Sequence, residues 1–206
     1  MSEYIIKVEH ISKTLKGKKV LDDITANFEH RKIYGVVGAN ASGKTMLFRA
    51  LAGLIHLDSG TVKFSPPQCN IGVIVENPGF LLSYTGFENL KFLASIRRQI
   101  SDQQITEAMN DVGLSASDKR KVKAYSLGMK QKLAIAQAIM ERPEILILDE
   151  PTRGLDRESV NLIRNLLLNL NKAGTTILIS SHNSEDISVL CSQIYMMENG
   201  KLVVPA

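Results

Sequence analysis

The sequence predicts an α/β fold, built on a mainly parallel sheet with an antiparallel β edge and an inserted α-helical subdomain. Short apolar runs at residues 33–37, 145–148 and 176–180 are typical of buried strands in a parallel sheet. Helical patterns separate these runs, which indicates helices on both faces of the sheet. Asn199 and Gly200, between two further strand patterns, predict a tight hairpin at the antiparallel edge.

Each element of the first part of the chain follows from a local pattern. Strands are predicted where apolar residues alternate with polar ones or form short runs, at residues 4–9, 24–28, 33–37, 61–64 and 71–75. Residues 44–54 predict a helix, because Leu47, Leu51 and Leu54 recur on one face. This order of elements is the one expected of an α/β domain.

The middle of the chain, residues 77–140, changes to a helical pattern. We expect it to be a helical subdomain, carrying one of the motifs below, inserted into a single domain that spans residues 1–206. Ser101 and Gln104 form a capping box, and Gly113 is placed to end the helix that it opens. Three helices are predicted in this stretch, at residues 87–100, 101–112 and 126–140.

The last part of the chain returns to the α/β pattern. Strands are predicted at residues 145–148, 176–180, 194–198 and 201–204, and a helix at 157–170. The apolar stripe of that helix is assigned to Leu162, Leu166 and Leu170, with Ile163 and Leu167 beside them.

The bulk composition is that of a globular protein with its own core. The chain has 206 residues, of which 44% are apolar and 22% charged, with a net charge of +4. The basic excess falls in short clusters that are typical of a solvated surface. Cys69 and Cys191 lack metal-ligand spacing, so we expect reduced thiols. No secretory signal or membrane-spanning apolar run occurs, so we expect a cytoplasmic chain that reaches a membrane only through a partner.

The clearest chemical signal is a glycine-rich loop between a predicted strand and a predicted helix. It fits the pattern G-x-x-x-x-G-K-S/T without substitution, which indicates a fold of the P-loop NTPase type. Its backbone N–H groups and the helix N-terminus favour phosphate, Lys44 adds a positive charge, and Thr45 offers a hydroxyl to Mg²⁺. The residues assigned to nucleotide binding are Gly38, Ala39, Asn40, Ala41, Ser42, Gly43, Lys44 and Thr45.

Two acidic residues follow a second buried strand. Residues 145–148 are apolar, and Asp149 and Glu150 come directly after them. Parallel strands carry functional groups at their carboxyl ends, so Asp149 is placed to hold Mg²⁺ through water, and Glu150 can reach the attacking water as general base or orienter. The leading chemistry is therefore hydrolysis of ATP or GTP.

Further motifs follow in an order that resembles the ATP-binding-cassette (ABC) family along essentially the whole chain. Residues 125–131, immediately before a predicted helix, resemble the family's LSGGQ signature. Residues 153–156 resemble its D-loop, His182 resembles its switch histidine, and residues 71–76 are similar to the strand that ends in its Q-loop. Six elements in the same order are far more specific than any one, so the chain is identified as a member of this family.

The resemblance implies a shared site. Family members sandwich two nucleotides between two ATPase subunits, so Ser126 and Gly128 are implied to contact the nucleotide of a second subunit. Free N–H groups and a hydroxyl at a helix N-terminus suit that role. His182 is implied to contact the γ-phosphate and to act with Lys44 and Glu150 in catalysis. One set of motifs makes a homodimer the simplest assembly, with a heterodimer left open.

Four positions depart from the family pattern. Leu127 and Met129 replace a glycine and the glutamine of the signature, a variant similar to those of drug- and bacteriocin-type exporters. Glu76 stands where the Q-loop glutamine is found, and we assign it to the metal site with Thr45 and Asp149. Leu15 takes the place of the aromatic residue that stacks on adenine, which leaves apolar contact without ring stacking.

The resemblance therefore implies an ATPase subunit, with ATP and Mg²⁺ as cofactors, that energises a separate integral membrane subunit, and export is favoured on the signature. In the family, the region that residues 77–87 match helps to receive that membrane subunit. The alternative is a non-transport ABC-type ATPase that acts on nucleic acid or ribosomes. A DNA-repair member would need a coiled coil for which residues 45–125 leave no room, and no direct nucleic-acid partner is expected. A P-loop kinase would lack the signature and His182.

Overall fold

Two sheets and six α-helices make up the part of the protein that its computed structural model describes, residues 3–75, 79–97 and 100–203. The strands are β1 (Tyr4–Leu15), β2 (Lys18–Glu29), β3 (Ile33–Val37), β4 (Ser59–Phe64), β5 (Ile71–Ile74), β6 (Ile145–Asp149), β7 (Thr176–Ser180), β8 (Gln193–Glu198) and β9 (Lys201–Val203). The helices are α1 (Lys44–Leu51), α2 (Gly86–Arg97), α3 (Asp102–Asp111), α4 (Leu127–Ile139), α5 (Arg157–Ala173) and α6 (Ser184–Leu190).

The larger sheet has the strand order β5-β6-β7-β3-β8-β9. All neighbouring pairs are parallel except β8 and β9, which form the predicted hairpin. This confirms the mainly parallel sheet with an antiparallel edge. Because β6, β7 and β3 are adjacent and parallel, their carboxyl ends meet at one edge of the sheet. The loops that leave this edge carry the phosphate loop, Glu150 and His182.

The two faces of this sheet bury different cores. Ile145 and Ile147 of β6 pack into a core shared with α1 and the smaller sheet, whereas Leu146 and Leu148 pack against the helices α2 to α5. Side chains alternate between the faces of a strand, so one strand of continuous apolar residues serves both cores. Helices therefore lie on both faces, as predicted, but on one face α1 shares the cover with a second sheet.

That second sheet is antiparallel, with the order β2-β1-β4. Its strands β1 and β2 each have 12 residues and are longer than predicted. The register between them shifts at several points, and His10 and Asp23 adopt positive φ values of 52° and 53°. Such bulges interrupt the period-2 pattern, which hides residues 10–15 of β1 and 18–23 of β2 from the sequence.

Between β5 and β6 the chain forms the helices α2, α3 and α4. The predicted capping box is present, since the Ser101 hydroxyl accepts from the Gln104 N–H and the Gln104 side chain accepts from the Ser101 N–H. Gly113 follows the C-cap of α3 with φ 72°, as a helix-ending glycine does. No helix of the described residues is long and apolar enough to cross a bilayer.

The structure corrects three predictions about helices. The helix α1 ends at Leu51, three residues earlier than predicted, and Leu54 is 62% exposed instead of packing on that face. In α5 the buried line runs through Ile163 and Leu167, while Leu162, assigned to the apolar stripe, is 38% exposed. The short helix α6 was not predicted at all.

Candidate functional site

The phosphate loop is folded tightly against the rest of the molecule. Gly38 and Gly43 adopt φ values of 154° and 115°. A Cβ atom would lie 2.2 Å from the carbonyl oxygen of Met197 if added at Gly38, and 2.7 Å from that of Val20 if added at Gly43. Only glycine fits these positions, because both the backbone conformation and the close approach exclude a side chain.

The loop curls around its own lysine. The Lys44 ammonium donates to the carbonyl oxygens of Gly38 at 2.7 Å and Ala39 at 3.0 Å, and the residue is only 8% exposed. The Ser42 hydroxyl is buried and has no hydrogen-bond partner among the described residues. A buried hydroxyl without a partner is costly, so this atom and the cradle around Lys44 fit a polar ligand such as a phosphate group.

The acidic end of β6 faces the start of α1. The Thr45 hydroxyl donates to Asp149 Oδ2 at 2.5 Å, and the Ser180 hydroxyl donates to Asp149 Oδ1. Hydroxyl and carboxylate oxygens are suitable ligands for Mg²⁺, which usually takes one or two protein carboxylates with phosphate and water. Among the described residues, no group of three or more His, Cys, Asp or Glu side chains could hold a metal ion. Glu76, also assigned to the metal, lies outside the described residues.

Glu150 and His182 meet beside this pair. His182 Nε2 lies 3.4 Å from Glu150 Oε1, and the His182 backbone N–H donates to Glu150 Oε2 at 3.3 Å. The Glu150 N–H donates to the carbonyl oxygen of Ser180, and Glu150 has a positive φ of 53°. A left-handed non-glycine residue next to a buried strand is a strained arrangement of the kind that is common in active sites.

These groups line one cavity of about 450 Å³. Lys44, Thr45, Asp149, Glu150 and His182 all contribute to its wall, so the structure brings the predicted catalytic residues together. Leu15 lies at the same cavity and is 41% exposed. The lining also includes Lys18, Val20 and Arg153, which the sequence did not single out as site residues.

The signature residues lie elsewhere. Ser126 caps α4, where its hydroxyl accepts from the Met129 N–H at 3.2 Å, and neither Ser126 nor Gly128 lines the cavity of the phosphate loop. Leu127, between them, is 64% exposed. Within one chain, the N-terminus of α4 is therefore an exposed helix end separate from the phosphate grip.

Helix α4 is nevertheless tied to the acidic loop. The side-chain amide of Gln131 donates to the carbonyl oxygens of Pro151 at 3.0 Å and Glu150 at 3.4 Å. Leu127 packs on Gly154, because a Cβ atom added at Gly154 would lie 2.8 Å from Leu127 Cδ2. No local pattern in the sequence marks Gln131 as a contact of Glu150. The one available signal is the position of Gln131, one turn into α4 and at the end of the signature-like segment 125–131.

Comparisons with known proteins show the family of the chain. The ABC transporter family model matches residues 21–153. The ABC transporter ATP-binding protein YybJ of Bacillus subtilis (strain 168) is 43% identical, over 96% of this chain and 94% of that protein. The bacitracin transport ATP-binding protein BcrA of Enterococcus faecalis is 38% identical, over 98% of this chain and 68% of that protein.

Solved structures agree on the fold. The dimeric structure of MJ0796, a bacterial ABC transporter cassette, superposes with a TM-score of 0.88 at 21% identity, over 96% of each chain. The family model covers well over half of this chain, and the sequence relatives align along nearly all of it. The chain therefore belongs to the ABC transporter family, as an ATP-binding subunit.

Proposed function

We propose that this chain hydrolyses ATP in a composite site shared with a second copy of itself and drives export through a separate membrane subunit. The observation that carries the proposal is the cavity in which Lys44, the Thr45–Asp149 pair and the Glu150–His182 pair converge. A phosphate grip, a metal-suited oxygen pair and a carboxylate beside a histidine are the parts that nucleotide hydrolysis requires.

Each residue has a distinct task. The N–H groups of the phosphate loop and the Lys44 ammonium bind the β- and γ-phosphates. Thr45 and Asp149, with Glu76, would hold Mg²⁺, which would neutralise phosphate charge. Glu150 orients and deprotonates the attacking water. His182, beside Glu150, contacts the γ-phosphate and helps to hold that carboxylate in place.

The other half of the site comes from the second copy. Ser126 and Gly128 lie at an exposed helix N-terminus, away from the phosphate loop of their own chain. The first N–H groups of a helix have no carbonyl partner within it, so those at this position suit the γ-phosphate of a nucleotide bound by the partner. We include residues 77–140 in this proposal as the helical subdomain that carries the signature. An isologous homodimer would use both halves of both chains.

Several apolar side chains form a surface for the membrane subunit. Leu81, Leu82 and Tyr84 are 41%, 54% and 50% exposed, while Phe80 packs on the core. The protein would then sit at the inner face of the membrane, held by its partner. A role in transport is supported by the likeness to the bacitracin transport protein BcrA, and export by the resemblance of residues 125–131 to the signatures of exporters.

Glu150→Gln tests the hydrolytic role. The variant keeps its shape and loses the general base, so we expect ATP binding within about threefold of wild type and turnover reduced by about 100-fold or more. Glu158→Gln, an exposed acid at the start of α5, is the matched control and should keep wild-type turnover. Unchanged turnover in Glu150→Gln would remove Glu150 from its role.

Affinity isolation from detergent-solubilised cells tests the partner. The chain should co-isolate with a multi-helix membrane protein, and a Leu82→Asp variant should lose that protein while keeping its ATPase activity. Leu54→Asp is the control, because Leu54 is an apolar side chain of similar exposure that lies outside this segment of the sequence. Co-isolation with nucleic acid or ribosomes instead would favour the alternative function.

A further inference from the structure

A buried carboxylate lies behind the catalytic loops. Asp186, on α6, is fully buried. Its Oδ2 atom accepts hydrogen bonds from the hydroxyls of Thr152 at 2.6 Å and Ser181 at 2.7 Å. Its Oδ1 atom accepts a hydrogen bond from Arg164 Nε of α5 at 2.7 Å and lies 2.6 Å from Arg164 Nη2 in an ion pair. Both oxygens are thus fully engaged.

The partners of this carboxylate are buried as well. Thr152, Ser181 and Arg164 are 8%, 7% and 6% exposed. A buried ion pair is a weak source of stability, because desolvation of both charges offsets most of their attraction. Holding groups in one fixed arrangement is the better-supported reason for such a network, and here the arrangement lies next to the site.

The two hydroxyls belong to the two loops that carry the catalytic pair. Thr152 follows Glu150 by two residues along the chain, and Ser181 directly precedes His182. One oxygen atom, Asp186 Oδ2, therefore joins both loops. The side chains of Glu150 and His182, which these two loops carry, lie 3.4 Å apart.

We propose that Asp186, held by Arg164, is a positioning residue that sets the geometry of Glu150 against His182. The inference rests on the proposed hydrolytic function and adds a residue to it. Asp186 contacts neither nucleotide nor water in this account. It acts through the hydroxyls of Thr152 and Ser181, so its loss should misplace the pair and lower turnover more than nucleotide affinity.

Three substitutions separate positioning from folding. Asp186→Asn keeps the side-chain size but replaces one acceptor oxygen with an NH₂ group. This NH₂ group would face the hydroxyl or guanidinium groups that donate to the carboxylate in the wild-type protein. Thr152→Val removes a single hydroxyl and leaves Asp186 paired with Arg164. We expect kcat to fall by about tenfold in Asp186→Asn and by about fivefold in Thr152→Val, with KM for ATP within about threefold of wild type. Glu185→Gln removes only the exposed outer contact of Arg164 and should leave kcat unchanged.

A double-mutant cycle measures the coupling between Asp186 and His182 in kcat. A merely structural role of Asp186 would produce no such coupling. If Asp186 acts by placing His182 and Glu150, its substitution should matter much less once His182 is gone. We expect Asp186→Asn to lower kcat by less than about threefold in a His182→Ala background. Leu167→Ala, a buried change on α5, is the stability control and should keep kcat at temperatures well below its midpoint of unfolding.

The inference is overturned if Thr152→Val and Asp186→Asn keep kcat within about twofold of wild type, or if their losses are additive with that of His182→Ala. Thr152→Val alone decides the matter if Asp186→Asn does not fold. A wild-type protein without ATPase activity would count against the proposed function, whereas an active wild type with unaffected variants would count against Asp186 only.

Discussion

At the scale of single residues, the site is built for phosphate and offers little to read the base. Leu15 borders the cavity and is partly exposed. It gives apolar contact without the ring stacking that is worth about 1–3 kcal/mol per base, and it has no group to hydrogen-bond a base edge. We predict that GTP supports hydrolysis within about tenfold of ATP in kcat/KM, which is about 1.4 kcal/mol.

Steady-state kinetics with the two nucleotides measure this ratio. Leu15→Tyr is the companion variant, because an aromatic ring stacks on either base. It should tighten both nucleotides and leave their ratio nearly unchanged. A wild-type preference for ATP far beyond tenfold would mean that some other residue reads the base.

The residues of the site differ in how far the sequence could predict them. The phosphate loop and Asp149 lie in short motifs beside strands, so their convergence follows from the parallel sheet. The hydroxyl of Ser180 on Asp149 and the amide of Gln131 on Pro151 join residues 31 and 20 positions apart. Such contacts depend on tertiary packing, and no local pattern marks them.

At the scale of elements, the stability of α5 depends on a different face from the one that its leucines suggested. Leu167 is fully buried and Leu162 is 38% exposed. We predict that Leu167→Ala lowers the free energy of unfolding by about 2–5 kcal/mol, and that Leu162→Ala lowers it by less than about 1 kcal/mol. Urea denaturation of the two variants measures the difference. Equal losses would contradict the buried face seen in the structure.

The N-terminus of α5 makes stability depend on pH. The Asp156 carboxylate accepts the Ser159 N–H at 2.8 Å, and this hydrogen bond holds the pKa of Asp156 below its usual value. A lowered folded-state pKa means that the ionised cap stabilises above the unfolded pKa of about 3.9, and that this contribution is lost as the pH falls through the folded value.

Asp156→Asn isolates this effect, because the amide keeps an acceptor oxygen but does not titrate. We predict that wild type is the more stable protein at about pH 6 and that the difference is smaller at about pH 3. Thermal unfolding at the two pH values measures it. A difference that stays constant with pH would show that the charge of the cap plays no part.

The elements themselves were predicted best where one pattern runs without interruption. The strands β3, β6 and β7 are short, apolar and buried, so sequence and structure agree closely. Bulges interrupted the pattern in β1 and β2, so residues 10–15 and 18–23 were not predicted as strand. The helix α6 has seven residues, too few for its helical period to stand out, although Asn183 caps it through the Glu185 N–H.

At the scale of the whole molecule, the larger sheet gathers three loops at one edge and leaves the signature helix outside their cavity. In the proposed homodimer, this separation means that each chain contributes half of each of two sites. We therefore predict that Lys44 of one subunit and Gly128 of the other act together in one site.

Subunit complementation tests it most directly. Lys44→Ala removes the phosphate grip and Gly128→Asp blocks the opposing helix end, so each variant alone should lack ATPase activity. A mixed dimer pairs the intact Lys44 of one chain with the intact Gly128 of the other in one of its two sites. Mixing equal amounts should therefore restore roughly a quarter of wild-type activity. If the mixture stays inactive while each variant is folded, or if either variant is active alone, the shared site is wrong.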